Sequence, residues 1–187
     1  MGDYFRRQLT DYVEYHRDPR NGLMHVFGII SLFLAAVLPL SQWPVPAFGA
    51  PVTAATIMVV PVLVYWLVLD AAIGTAILFA AVVLLATAAM IVSVAAAPLV
   101  WSMTAALIVM GVAFQVVGHR VFERRQPALM DNPVHLLLGP MFVMAKLFIA
   151  FGFRPDLARI IAPAPRQALR SSATGLGERQ GSPLPDS

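Results

Sequence analysis

Cysteine is absent from the 187 residues. That excludes a disulfide framework, a Cys-type zinc site, an iron–sulfur cluster and a thiol nucleophile, and it removes the usual indicator of redox compartment. Charge is scarce as well. Only 12% of residues are charged, and between Asn21 and His119 the sole formally charged residue is Asp70. No water-facing surface can be built from such a stretch. With 59% hydrophobic residues and a mean hydropathy of +0.76, the chain reads as an integral membrane protein. Lysine occurs once, at Lys146, and the net charge is only +3. The basic excess therefore reads as membrane topology, and no nucleic-acid partner is expected. No Gly-rich phosphate loop, Ser-His-Asp set, pair of catalytic carboxylates or internal repeat is present. A cleaved signal peptide is not expected, because about twenty mixed-charge residues precede the first apolar run.

What is present is a series of apolar segments. Residues 3–16 carry Tyr4/Phe5, Leu9, Tyr12/Val13 and His16 at helical spacing, which predicts an amphipathic helix lying at the interface. Asp18-Pro19-Arg20-Asn21-Gly22 has turn chemistry and is expected to break it. Spans are predicted at 23–40, 53–69, 71–94 and 100–118, joined by an uncharged, proline-rich connection at 39–52 and a short turn at 95–99. Asp70 reads as a cap or turn residue between two spans. Residues 136–153 are apolar again but contain Gly139-Pro140 and Lys146. From 158 the chain is Arg/Pro-rich and, over 171–187, has the composition of a disordered tail.

Arginines set the topology. The N-terminal segment, residues 119–135 and the tail are basic, whereas the 39–52 and 95–99 connections carry no charge. Four spans put every basic segment on one side, which the positive-inside rule makes cytoplasmic together with both termini. A fifth crossing would send the tail outside. Residues 136–153 are therefore expected to be re-entrant or interfacial, broken at Gly139-Pro140, with Lys146 snorkelling. The expected fold is an all-α integral membrane protein: four transmembrane helices, an N-terminal amphipathic helix and this fifth segment, forming one domain over 1–157. The high Arg/Lys ratio and the absence of an ER-type retrieval signal point to a bacterial inner membrane.

This topology gathers chemistry. The four histidines, His16, His25, His119 and His135, each lie near the edge of an apolar segment and fall on one face at similar depth. Neutral imidazole is the commonest metal ligand and suits iron, zinc, copper and nickel alike. Any one of them alone reads as an interfacial hydrogen-bonding residue; their joint placement predicts a metal site. Glu123, four residues after His119, reads as a ligand, as a partner orienting His119, or as a mate for Arg120 or Arg124. Arg124 and Arg125 fit either a carboxylate- or phosphate-binding fork or a topological anchor. Gln115 faces the same way as His119 and could hydrogen-bond a ligand or another helix. A haem-binding electron carrier, with His25 and His119 as axial ligands, is a competing reading. So is a small transporter or scaffold, although the spans carry almost none of the mid-bilayer polar groups a transporter uses. The histidine-cluster pattern of fatty-acid desaturases and hydroxylases is absent.

Two motifs carry a resemblance: Tyr15-His16-Arg17-Asp18-Pro19-x-Asn21-x-x-x-His25-x-x-Gly28, and Gln115-x-x-Gly118-His119-x-x-x-Glu123-x-x-x-Pro127-Ala128-Leu129. With Gly139-Pro140-x-Phe142 and Gly152-Phe153-Arg154-Pro155-Asp156-Leu157, the chain over 9–157 resembles the 2-hydroxy fatty acid dioxygenase family of small membrane proteins. The resemblance implies an Fe(II) enzyme that uses dioxygen for α-oxidation, shortening a 2-hydroxy fatty acid by one carbon. It implies His16, His25 and His119 as metal ligands, with His135 supported less directly. Glu123 and Arg124 are the candidate catalytic residues. Asn21, Gln115, Arg120 and Arg125 are the candidate substrate-binding set. Lys146 departs from the family, which has glutamate there. The expected partners are a 2-hydroxy fatty acid, dioxygen and the lipid bilayer, with a homo-oligomer left open.

Overall fold

The computed structural model describes residues 2–47, 50–124 and 133–161. Its elements in order are α1 (Asp3–Glu14), α2 (Pro19–Leu40), a two-stranded antiparallel hairpin of β1 (Pro44–Ala47) and β2 (Ala50–Thr53), and α3 (Ala54–Leu69). Then follow α4 (Ala71–Val94), α5 (Ala97–Val117) running into a π-helical turn (Gly118–Glu123), α6 (His135–Ala150) and α7 (Pro155–Ile161). The protein is thus helical, apart from a hairpin that the proline-rich composition of 39–52 concealed. Val45 pairs with Val52 in it. The last helix runs to Ile161, beyond the expected end of the domain; the tail from 162 on lies outside the described residues.

Three helices are long and apolar enough to cross a membrane: α2, α4, and α5 with its π turn. Helix α3 has 16 residues, about 24 Å at 1.5 Å each, short of a ~30 Å hydrocarbon layer. The expected set of four like spans is therefore three long helices and one short one. Val68, Phe79, Val83, Met90 and Val94 stand exposed around α3 and α4, an apolar surface suited to lipid.

Helix α2 begins earlier than its turn-like sequence implies. Asp18 is its N-cap, accepting from the Arg20 N–H at 2.7 Å, and Pro19 occupies the first turn, where its missing N–H costs nothing. Asn21 and Gly22 are thereby helical, and His25 lies in the second turn. Helices α2 and α5 cross at two glycines. A Cβ on either Gly28 or Gly111 would come to 3.2 Å from the other's carbonyl oxygen, so the two glycines let the backbones approach closely.

The apolar face of α1 is covered by protein: Phe5, Leu9 and Tyr12 are buried with Leu138, Met141 and Phe142 of α6 and Leu157 of α7. Helix α6 runs unbroken through Gly139-Pro140. Gly139 admits the Ile29 side chain, which a Cβ would meet at 2.8 Å. Next to the carbonyl that Pro140 deprives of its donor, the Trp66 indole N–H donates to the Leu137 carbonyl at 2.7 Å. The break comes instead at Gly152 (φ +79°), where Phe153 N–H returns to the Phe148 carbonyl at 2.8 Å and closes the helix. There α7 turns away from α6 by 119°.

An ion pair fixes that turn. Arg154 holds buried Asp70 through two bonds, Nη1–Oδ1 at 2.9 Å and Nη2–Oδ2 at 3.0 Å, while Asp70 also caps α4 by accepting from the Ile73 N–H at 3.2 Å. Burial pushes the Asp70 carboxyl up, but the Arg154 guanidinium outweighs it and holds the group below its ordinary value. Asp70 is the cap that its position between two apolar runs implied; its partner, 84 residues away, left no local trace.

Candidate metal centre

Three histidines converge where α1, α2 and α5 meet. His16 lies in the turn after α1, His25 on α2, and His119 on the π turn that extends α5; all are buried. Their ring centroids are 4.3 Å (His16–His25), 4.9 Å (His16–His119) and 4.9 Å (His25–His119) apart. One nitrogen from each lies within 4.8 Å of those of the other two.

The backbone decides which nitrogens carry protons. His16 Nδ1–H donates to the Tyr12 carbonyl at 2.8 Å, and His25 Nδ1–H donates to the Asn21 carbonyl at 3.1 Å. A carbonyl only accepts, so in each neutral ring the proton sits on Nδ1 and Nε2 is bare. The two bare Nε2 atoms nevertheless face one another at 2.9 Å. Lone pairs at that distance repel unless a proton or a metal cation lies between them. A second proton on His16 is disfavoured: burial, and after it the neighbouring His25, push its pKa down to about 2. Among the described residues, buried His119 Nδ1 has no hydrogen-bond partner. Three imidazoles turned on one point, with bare nitrogens and no carboxylate or thiolate among them, fit a divalent transition metal with coordination positions to spare.

The surroundings hold this arrangement in place. The Tyr12 ring stacks on His16, with centroids 4.0 Å apart and planes 7° from parallel. Glu123 Oε1 accepts from the Asp18 N–H at 2.8 Å and from Asn21 Nδ2 at 3.1 Å, so the end of the π turn is tied to the start of α2. Gly118 completes the contact, since a Cβ there would overlap Asn21 Oδ1. His119 is buried in the group, while Glu123, four residues on in the same π turn, reaches the start of α2. Beside the histidines a cavity of about 330 Å³ runs between α2, α5 and α6, its walls including Ile29, Leu32, Phe33 and Val112.

Residues 3–151 match the family model described as 2-hydroxy-palmitic acid dioxygenase Mpo1-like. The chain belongs to the Mpo1-like family. It is 32% identical over 153 residues to the 2-hydroxy-palmitic acid dioxygenase MPO1 of Saccharomyces cerevisiae, covering 81% of this chain and 84% of the yeast protein. No solved structure matches.

In this Mpo1-like chain the remaining expected site residues are distributed unevenly. His135 also borders the cavity but stands apart from the three-histidine group. Its ring lies edge-on to Tyr12 and Tyr15, and its Nε2 is 3.0 Å from Asp11 Oδ2, off the hydrogen-bonding direction. Beginning an apolar segment at the right depth placed it beside the cavity, with Nε2 next to Asp11 and outside the three-histidine group. Glu123 likewise braces the ligand helices from outside the group. Asn21 is fully buried as the second half of that brace. Gln115 lines the cavity, its amide lying over Gly28. Arg120 and Arg124 are exposed, Arg124 ending the π turn at φ 54°, while Arg125 and the Pro127-Ala128-Leu129 motif fall outside the described residues.

Two residues were misjudged from sequence. Tyr12, read as an interfacial tyrosine, is a wall of the site; its position four residues before His16 on one helical face was the available signal. Lys146, read as snorkelling, turns inward: its ammonium sits 4.5 Å over the Phe142 ring and close to Gly22, where a Cβ would meet it at 2.8 Å. No signal in the sequence indicated this.

Proposed function

We propose that this chain is an Fe(II)-dependent dioxygenase of 2-hydroxy fatty acids, acting at the cytoplasmic face of a bacterial inner membrane and shortening its substrate by one carbon. The carrying observation is the pair of bare Nε2 atoms of His16 and His25 facing each other beside His119. The named activity of the yeast relative supports the choice of substrate class. A ferrous ion held by His16, His25 and His119 would supply the redox and Lewis-acid chemistry that activates dioxygen beside a chelating 2-hydroxy acid. The overall reaction balances as 2-hydroxy acid plus dioxygen giving the acid one carbon shorter, carbon dioxide and water.

The protein's own contribution is positional and electrostatic. The Tyr12 and Asn21 carbonyls hold two imidazoles in the tautomer that presents bare Nε2 atoms. The cavity beside them, lined almost wholly by apolar surface, takes the acyl chain. Lys146, close to the start of α2, offsets the substrate carboxylate, a role the exposed Arg120 and Arg124 are less well placed to fill. A haem between His25 and His119 is disfavoured, because the His16 ring occupies space that the macrocycle would need. The test is turnover of 2-hydroxypalmitate by anaerobically purified, iron-loaded protein. Formation of the fifteen-carbon acid, lost in a folded His119→Ala variant, supports the reading; turnover unaffected by that variant defeats it.

A further inference from the structure

A second apolar pocket of about 140 Å³, open on its outer side at Ile30 and Ala80, lies beyond the first and is bordered by Trp66, Ile77 and Leu84. The two share just two walls, Ile29 and Phe33. We propose that Phe33 is the specificity-determining residue for acyl-chain length, a partition between a proximal chamber beside the histidines and a distal one against Trp66. This rests on the reading that the cavity takes the acyl chain of a 2-hydroxy fatty acid.

The shared walls are not equivalent. Ile29 is seated against Gly139, where its Cδ1 fills the space a Cβ would need. Phe33 is partly buried, and its ring leans on Trp66 with centroids 5.8 Å apart at 44°. Trp66 itself is held by its bond to the Leu137 carbonyl. The Phe33 side chain is therefore the part of the partition with freedom to move or to be trimmed. An apolar cavity of about 150 Å³ admits a six-carbon benzene ring. By that measure the proximal chamber takes roughly twelve carbons and the distal one about six more. Chains that fit the proximal chamber end at Phe33, and longer ones must displace it.

The experiment compares kcat/KM for 2-hydroxy acids of twelve, sixteen and eighteen carbons in reconstituted wild-type, Phe33→Ala, Phe33→Leu and Phe33→Trp proteins. In parallel, quenching of Trp66 fluorescence by 2-hydroxy acids brominated at the terminal carbons is read, with Trp66→Phe assigning the signal. The eighteen-to-twelve carbon ratio is expected to rise about tenfold in Phe33→Ala, less in Phe33→Leu, and to fall in Phe33→Trp. Quenching of Trp66 should appear only for chains long enough to pass the partition, and at shorter lengths once Phe33 is trimmed. Equal changes at all chain lengths in the two folded small variants, or quenching independent of length, overturn the proposal. If no acid is turned over, the enzymatic reading fails, and length-dependent quenching still decides the partition.

Discussion

Glu123→Ala removes the acceptor that ties the π turn to the start of α2. Glu123 Oε1 receives the Asp18 N–H at 2.8 Å and Asn21 Nδ2 at 3.1 Å, and each donor loses its carboxylate partner on substitution. Hydrogen bonds to a charged acceptor contribute about 1.5–3 kcal/mol apiece. Because Glu123 is only half-buried, a combined loss of about 2–4 kcal/mol is expected. Part of this falls on the metal centre, since Asn21 also supplies the carbonyl that orients His25. Partners one step removed from a metal typically change its affinity by about 10–100-fold. Competitive titration of Fe(II) against a fluorescent chelator reads the affinity, and thermal unfolding of the metal-free protein reads the stability. Glu123→Gln keeps an acceptor oxygen and should recover much of both. Wild-type affinity in folded Glu123→Ala would refute the brace, and equal losses in the Gln and Ala variants would show that charge rather than geometry matters.

Arg154→Met should destabilise the protein by about 3 kcal/mol, because it leaves the Asp70 carboxylate buried without its guanidinium; thermal unfolding checks it. The same pair carries a pH signature. The Asp70 pKa is depressed on folding, so its contribution is fully present above the ordinary value of 3.8 and is lost as pH falls through the lower folded value; Asp70→Asn should flatten the acid limb of the stability profile. Lys146→Met is expected to raise KM for a 2-hydroxy acid about tenfold and to leave KM for its methyl ester nearly unchanged, as steady-state kinetics would show. Gly118→Ala should weaken metal binding and lower Tm, because the added methyl overlaps Asn21 Oδ1; an unaltered Tm would show that Asn21 has room to retreat.

The convergence of His16, His25 and His119 was readable because the first two lie close in sequence and the charge pattern brings the end of α5 to the same surface. His135 falls outside the group, beside Asp11 of α1, because of how α6 packs against α1, and that packing has no counterpart in residue spacing. Asn21-Gly22 looked like a turn because isolated propensity disfavours both in helices; the Asn21 bond to Glu123 and the Asp18 cap override it. Gly139-Pro140 looked like a break, yet Ile29 packing on one residue and the Trp66 indole near the other sustain the helix. The π turn, the inward Lys146 and the Asp70–Arg154 pair depend on contacts between segments far apart in the chain, which apolar periodicity does not encode.

Metal analysis of anaerobically purified protein, compared across the four histidine-to-alanine variants, is the most direct test. One iron per chain is expected in wild type and in His135→Ala, with loss in His16→Ala, His25→Ala and His119→Ala. Folded wild-type protein that takes up no iron, or iron retained when all three converging histidines are replaced, would contradict the metal centre.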